Sequence, residues 1–265
     1  MVGPDASYSS LVVIAFISDL HANLAALQAV LADIDSLGKV ERIFCLGDVI
    51  GYGPQPLECL ELAASRTKLM LMGNHEHAVL YGAYGFHPAA RRAIDWTRDV
   101  LQRDDDTARR KAMWNLIEHL PIRHEFDDVL LVHGSPRDPV MEYVLESDLW
   151  EGADPAKMDE IFASFKRLCF VGHTHRPGVF TEDHCFLPAT DLGNGFDLTD
   201  GGRYLINVGS VGQPRDRDTR ACYTLFSGDA VYFRRVSYDV DRTADLIRAV
   251  EALDDRLAER LYRGE

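Results

Sequence analysis

The chain has 265 residues, of which 46% are hydrophobic and 26% charged, which excludes collagen-like, disordered and disulfide-scaffold classes. Lys and Arg number 28 against 42 Asp and Glu, a net charge of −14, so the chain lacks the basic footprint of a polymeric nucleic-acid binder and repels anionic membrane surfaces. The five cysteines (Cys45, Cys59, Cys169, Cys185 and Cys222) form no CxxC pair and read as buried apolar residues in a reducing, cytoplasmic compartment.

Leu11–Ser18 is a continuous apolar run, which predicts a strand covered on both faces. It is too short to cross a bilayer, and Asp5 rather than a basic residue precedes it, so it is not read as a signal sequence. Asn23 to Leu37 has helical spacing, with Leu24, Leu27, Leu31 and Ile34 on one stripe and Gly38 at its end. Arg42–Leu46 predicts a second buried strand, Pro56–Ser65 a helix and Lys68–Met72 a third strand. This alternation marks a sheet with a parallel core and helices on its faces. His87 to Leu120 is mostly helical, interrupted by Asp104–Asp106, a solvated turn. Asp127–Val132 predicts a strand, Asp154–Arg167 a helix and Cys169–Val171 a strand. Tyr204–Val208, Ala221–Phe226 and Ala230–Ser237 follow as strands, with Gly228-Asp229 as a hairpin signal between the last two. An amphipathic helix, Arg242–Leu261, closes the chain. The expected architecture is α/β: two sheets packed face to face with helices outside, in one domain over residues 1–265, with residues 1–10 a flexible N-terminus.

Five short polar motifs sit just past predicted strands, where open α/β sheets place their sites. They are Asp19-Leu20-His21, Gly47-Asp48, Gly73-Asn74-His75-Glu76, His133-Gly134 and Gly172-His173-Thr174-His175. Carboxylate and imidazole ligands without thiolates suit Mn, Fe, Co, Ni or Zn rather than Ca or a structural zinc. Seven such ligands are too many for one ion with an open position and fit two ions sharing one carboxylate. Two ions about 3.5–4 Å apart clamp the attacking and departing oxygens of an in-line displacement and lower the pKa of a shared water. In D-x-H and H-x-H on extended backbone, alternate side chains reach the same side. Each motif alone is weak; five in this order, each after a buried strand, are hard to explain as packing.

The order D-x-H, GD, GNHE, H, GHxH resembles that of the calcineurin-like metallophosphoesterases. That superfamily includes serine/threonine phosphatases, purple acid phosphatases and bacterial phosphodiesterases. The likeness is greatest to small bacterial and archaeal members, through SDLHAN (Ser18 to Asn23), GDVIGYGP (Gly47 to Pro54) and NVGSVGQPRD (Asn207 to Asp216), and it spans residues 11 to about 236. The resemblance implies a four-layer α/β/β/α sandwich and two divalent metal ions (Mn, Fe, Zn, Ni or Co). It implies that Asp19, His21 and His175 hold the first ion, that Asn74, His133 and His173 hold the second, and that Asp48 bridges them. His75 would bind no metal; it would protonate the leaving oxygen or stabilise charge while a metal-bound hydroxide attacks phosphorus.

Weaker candidates for substrate contact are Asn23, Tyr52, Arg137 and Arg215. Asn23 reads equally as a helix cap, Tyr52 as part of a plain loop, and the arginines as partners of Asp138 and Asp216. Glu76 reads as a hydrogen-bond partner of a ligand histidine or as a solvated loop residue. The GSVG stretch, Gly209 to Gly212, reads as a turn near the metals rather than a phosphate loop. The expected partner is a small phosphorylated substrate such as a nucleotide or sugar phosphate, with a phosphodiester favoured. Alternatives are a phosphomonoesterase, including one that acts on phosphoserine or phosphothreonine in proteins, and a non-catalytic scaffold on the same fold. The oligomeric state is left open.

Overall fold

The first strand, β1 (Val13–Ile17), is buried along its whole length, and its side chains divide between two apolar clusters. Val13, Ala15 and Ile17 join one cluster, Ile14 and Phe16 another, as the two-residue period of a strand requires. The computed structural model describes residues 13–193 and 195–265; the expected flexible N-terminus and the first two positions of the predicted first strand lie outside them.

One six-stranded sheet runs β3 (Leu69–Met70), β2 (Val40–Cys45), β1, β11 (Ala221–Phe226), β12 (Ala230–Val236), β9 (Phe196–Asp197). Strands β1, β2 and β3 are parallel, and β11, β12 and β9 continue antiparallel. The second sheet runs β4 (Arg123–Phe126), β5 (Val129–Val132), β6 (Leu168–Val171), β10 (Tyr204–Asn207), β7 (Gly178–Thr181), β8 (Phe186–Pro188). Here β5, β6 and β10 are parallel and the outer strands antiparallel.

Four layers follow from where the apolar faces go. Between the sheets, Ile14, Phe16, Phe44 and Leu46 meet Val129, Leu131, Phe170 and Ile206. Phe16 stacks on Phe170 with ring centroids 4.2 Å apart. The outer face of the first sheet takes α1 (Leu24–Leu37), α2 (Pro56–Arg66), α3 (Asn74–Tyr81), α4 (Pro88–Gln102) and α5 (Thr107–Glu118). The outer face of the second takes α6 (Pro155–Ala163) through Met158, Ile161 and Phe162. The architecture is the expected α/β/β/α sandwich.

Several local expectations are corrected. The closing helix is two: α7 (Val240–Arg248) and α8 (Asp255–Leu261). Asp254 caps α8 by accepting from the Arg256 N–H, and a capping aspartate competes with helix continuation. Both helices pack with Ala93 of α4 and with Tyr52. Asp127 is not in a strand but at a hairpin turn with φ 53°, and β4 precedes it. Asp104 is buried rather than solvated and grips Arg109 with two bonds of 2.6 Å. Four cysteines are buried as expected, but Cys185 is exposed.

Candidate metal centre

The strand ends β1, β2, β3, β5 and β6 lead directly into the five polar motifs, so both sheets deliver ligands to one end of the sandwich. The chain turns there by an unusual device. Asp19, His21, Asp48, His173 and His175 all have left-handed backbone, with φ of 53°, 47°, 54°, 66° and 60°. Asp and His tolerate this region better than most side chains, yet each such residue costs roughly 1–2 kcal/mol. Cross-links between the loops hold it: the Asp19 N–H donates to the Gly47 carbonyl (3.0 Å), and the His21 N–H to the Asp48 carbonyl (3.0 Å). The stretch Asn207 to Gly212 belongs to the same frame. Ser210 Oγ and the Gly212 N–H both bond the Asp19 carbonyl, and Asn207 Nδ2 bonds the Gly172 carbonyl and Thr174 Oγ1. Two glycines allow close approach. A Cβ on Gly172 would lie 2.5 Å from Asp19 Oδ2, and one on Gly73 would lie 2.1 Å from Asp48 Oδ1.

Seven expected ligands converge. Ligand atoms of Asp19, His21 and His175 lie within 4.8 Å of one another, as do those of Asp48, His133 and His173. Asn74 Oδ1 lies 3.1 Å from His133 Nε2. Each of the four histidines has one ring nitrogen on a backbone carbonyl. His21 Nδ1 meets Ile50 (3.2 Å), His133 Nδ1 meets Leu46 (2.9 Å), His173 Nε2 meets Met141 (3.1 Å) and His175 Nδ1 meets Gln213 (2.5 Å). Those carbonyls can only accept, so a proton sits on that nitrogen and the other nitrogen faces inward, the one a metal would take once it is deprotonated. The inward nitrogens crowd: His21 Nε2 is 3.1 Å from His175 Nε2, and His133 Nε2 is 3.1 Å from His173 Nδ1.

The carboxylates follow the same division. Asp19 Oδ2 accepts from the His173 N–H (3.0 Å), while Oδ1 is buried without a donor. Asp48 Oδ1 accepts from the His75 N–H (2.9 Å). Its Oδ2 lies 3.8 Å from His21 Nε2 and 3.4 Å from His133 Nε2, between the two groups of ligands. Facing lone pairs with an orphaned carboxylate oxygen fit divalent cations. In the chain alone, burial works to raise the Asp48 pKa, but the histidines around it, His133 first, hold it well below the usual range. Burial pushes His21 and His175 down and His173 down to about 3. Burial also opposes charge on His133, but Asp48, Asp19 and Glu76 carry it up to about 9.

His75 is buried beside the centre, against His21 (4.7 Å), Tyr52 (4.5 Å) and Phe86 (5.4 Å). Its nitrogen and carboxylate neighbours include Asp48 and His21 within 4.8 Å. Burial lowers its pKa to about 4, so it is a neutral imidazole. Its Nδ1 has no partner and packs over Gly51, where a Cβ would come within 2.0 Å; a bare nitrogen is the cheaper choice there, which assigns the N–H to Nε2.

Glu76 is neither solvated nor bonded to a ligand histidine: it is fully buried and accepts from the N–H groups of Asp48, Val49, Ile50 and Gly73. Asn23 caps α1 through the Ala26 N–H, and it also bonds the Gly212 carbonyl and the Thr243 hydroxyl. Tyr52 leans over His21 (4.6 Å). Arg137 pairs with Glu142 and Glu160, not Asp138, and Arg215 bonds Gln213 Oε1 (2.9 Å), not Asp216. Tyr143, which lies outside every motif, stacks on His173 with centroids 3.7 Å apart. Only the fold brings it there, so no local signal could have marked it.

A family model described as calcineurin-like phosphoesterase matches residues 12–177. An uncharacterized protein of Methanocaldococcus jannaschii is 36% identical over 260 residues, which cover 95% of this chain and 98% of that one. A bis(5'-nucleosyl)-tetraphosphatase (symmetrical) of Paracidovorax citrulli is 31% identical over 124 residues, covering 44% of this chain and 42% of that protein. The crystal structure of a metallophosphoesterase from Sphaerobacter thermophilus is 37% identical with a TM-score of 0.77, covering 97% of this chain and 100% of that one. A fold, a ligand set and a family match thus agree, and the chain belongs to the calcineurin-like phosphoesterases, as a metallophosphoesterase that uses divalent metal ions.

Proposed function

We propose that this enzyme hydrolyses a phosphoester bond in a small phosphorylated substrate at a dinuclear centre, with phosphodiesters favoured over monoesters. The observation that carries the proposal is the pair of ligand groups on either side of Asp48 Oδ2. Asp19, His21 and His175 would hold one ion and Asn74, His133 and His173 the other, with Asp48 shared between them; manganese is the ion chosen for reconstitution. When bound, such ions neutralise phosphoryl charge and supply an activated water. The chain's own groups do the rest. The backbone carbonyls on the four histidines hold each ring in its ligating tautomer. His75, neutral and with its N–H on Nε2, donates a hydrogen bond to the phosphoryl or departing oxygen. Arg215, whose guanidinium carbon lies 5.9 Å from the Tyr52 ring centroid, and Tyr52 are the proposed phosphate contacts; the guanidinium of Arg137 is already held by Glu142 and Glu160, and the amide of Asn23 by α1, Gly212 and Thr243.

A small nucleotide is the favoured substrate type, supported by the likeness to bis(5'-nucleosyl)-tetraphosphatases over part of the chain and by the −14 net charge, which disfavours polymers. The apolar contact of both sheets through one inter-sheet cluster supports a single domain. Free thiols support a reducing, cytoplasmic setting, and among the described residues no helix is long and apolar enough to cross a membrane.

The test is a paired assay of Mn²⁺-reconstituted protein on para-nitrophenyl phosphate and bis-para-nitrophenyl phosphate, with chelator controls. The diester is expected to be the better substrate. His75→Ala should lower kcat by about 10²–10⁴, and Asp48→Asn should nearly abolish turnover while the circular dichroism spectrum stays native. Wild-type turnover by folded Asp48→Asn would sink the bridging assignment.

A further inference from the structure

The ligands proposed for the first ion lean on one buried stretch, residues 210–213. Ser210 Oγ and the Gly212 N–H donate to the Asp19 carbonyl at 2.8 and 2.9 Å. The Gln213 carbonyl meets His175 Nδ1 at 2.5 Å, and the Gln213 N–H donates to Ser210 Oγ (2.8 Å), which ties the two ends of the stretch together. His21 lines a narrow crevice with Gly212 and Gln213. The fit is tight: a Cβ on Gly212 would come within 1.8 Å of the Leu20 carbonyl oxygen. The ligands proposed for the second ion are held elsewhere. His133 and His173 bond the carbonyls of Leu46 and Met141, and Asn74 meets His133. Among the described residues, none of these three side chains bonds residues 210–213.

The stretch is held in turn from α7, 220 positions away from the loop after β1. The Gly212 carbonyl can only accept, so it faces Asn23 Nδ2 (2.9 Å). The Ala26 N–H can only donate, so it faces Asn23 Oδ1 (3.2 Å). These two bonds fix the orientation of the amide. The second lone pair of Oδ1 meets Thr243 Oγ1 at 2.9 Å, which makes the hydroxyl the donor. The other acceptor within reach of that hydroxyl, the Asp239 carbonyl one turn back, lies farther off at 3.4 Å. Asn23 and Thr243 are both buried, so a partner removed here leaves a polar group without one. α7 is itself fixed, because Ala244 and Ile247 sit in an apolar cluster with Ala93 and Leu257.

Building on the dinuclear reading, we propose that Thr243 is a positioning residue for the first ion. Through Asn23 and Gly212 it sets the backbone of Asp19, and through the same stretch the ring of His175, while the second ion does not depend on it. The last helices of the chain are then part of the metal centre, and Asn23 serves the metal through the backbone rather than the substrate.

The test measures metal binding, independent of turnover. Mn²⁺ is titrated into wild type, Thr243→Val and Thr243→Ser, with free ion counted by electron paramagnetic resonance and folding checked by circular dichroism. Wild type should bind two ions. Thr243→Val keeps the shape and removes the donor; it should weaken one ion by about threefold to tenfold and leave the other within about twofold. Thr243→Ser should restore both, and Thr243→Ala, a second way to remove the donor, should repeat the selective loss. A general loosening of the fold would weaken both ions, so the unaffected ion is the internal reference. Adding His133→Ala, which removes a ligand of the second ion, should leave an ion that still depends on Thr243. Adding His21→Ala should leave one that does not. Equal weakening of both ions, or of neither, in a folded Thr243→Val variant would overturn the proposal, as would dependence on Thr243 in the His21→Ala protein. A single ion in wild type would sink the dinuclear reading; its loss in Thr243→Val and recovery in Thr243→Ser would still uphold the relay, and no response would overturn it.

Discussion

One carboxylate, Glu76, gathers four backbone N–H groups at 2.8–3.1 Å, three from the loop after β2 and one from the residue before α3. It thereby fixes Asp48 against Asn74 and His75 without facing the cleft itself. Burial, and then the charge of Asp48, push its pKa up to about 7, although the Ile50 and Gly73 N–H groups favour its ionised form. Glu76→Gln would turn an NH₂ group onto two of those donors. It should lose about 2–5 kcal/mol of stability, from forfeited charge-assisted bonds and unsatisfied buried groups, and should bind metal more weakly. Urea unfolding of the metal-free protein and competition with a chelating dye would read both effects; a variant unfolding at the wild-type urea concentration would refute the role. The candidate ligands were legible in the sequence because each lies in a short motif just past a predicted strand, and four of them, Asp48, Asn74, His133 and His173, stand beside a glycine. The work of Glu76 was not, because three of its donors stand 26–28 positions away in the chain. Tyr143 was hidden for the same reason: tertiary packing alone brings it against His173.

At the level of elements, the parallel strands were readable and the antiparallel edges β4, β8 and β9 were not. Strands β1, β5 and β6 are covered on both faces, so their sequences are unbroken apolar runs, and buried β10 departs from this at its last residue, Asn207. Edge strands β4 and β8 are half open to solvent, β7 starts at Gly178, and β9 has two residues, too few to show any period. The helical pattern of residues 242–261 hid a break, because Val250 and Leu253 pack into the same apolar cluster as the helices on either side. The inter-sheet contact of Phe16 with Phe170 gives the core a direct test. Phe170→Ala removes a fully buried ring from between the sheets and should cost about 3–5 kcal/mol. Thermal unfolding would show this as a lowered midpoint. A loss under about 1 kcal/mol would mean that the layer closes over the cavity, which close-packed interiors rarely do.

Over the whole molecule, the proposed metal ligands would act as staples. Asp19, His21, Asp48 and Asn74 leave the first sheet; His133, His173 and His175 leave the second. Ions bound only by the folded chain should therefore stabilise it as a unit. At 100-fold saturation each site contributes about 2.7 kcal/mol, or roughly 5–10 °C in Tm for a chain of this size. Differential scanning calorimetry with and without chelator would measure it, and identical midpoints would argue against tight binding at the folded centre. The same strand directions carry the other ends of β1, β2, β5 and β6 away from the five motifs. β11 runs antiparallel to β1, so Phe226 lies opposite Ile14 rather than near Asp19. The hairpin beyond it turns at Gly228, whose α-carbon has open space around it. The five motifs and the Gly228 hairpin thus lie at opposite ends of the paired strands β1 and β11. A fluorophore, surface tether or fused module grafted at Gly228 could be carried by this enzyme while its catalytic mouth stays open to solution.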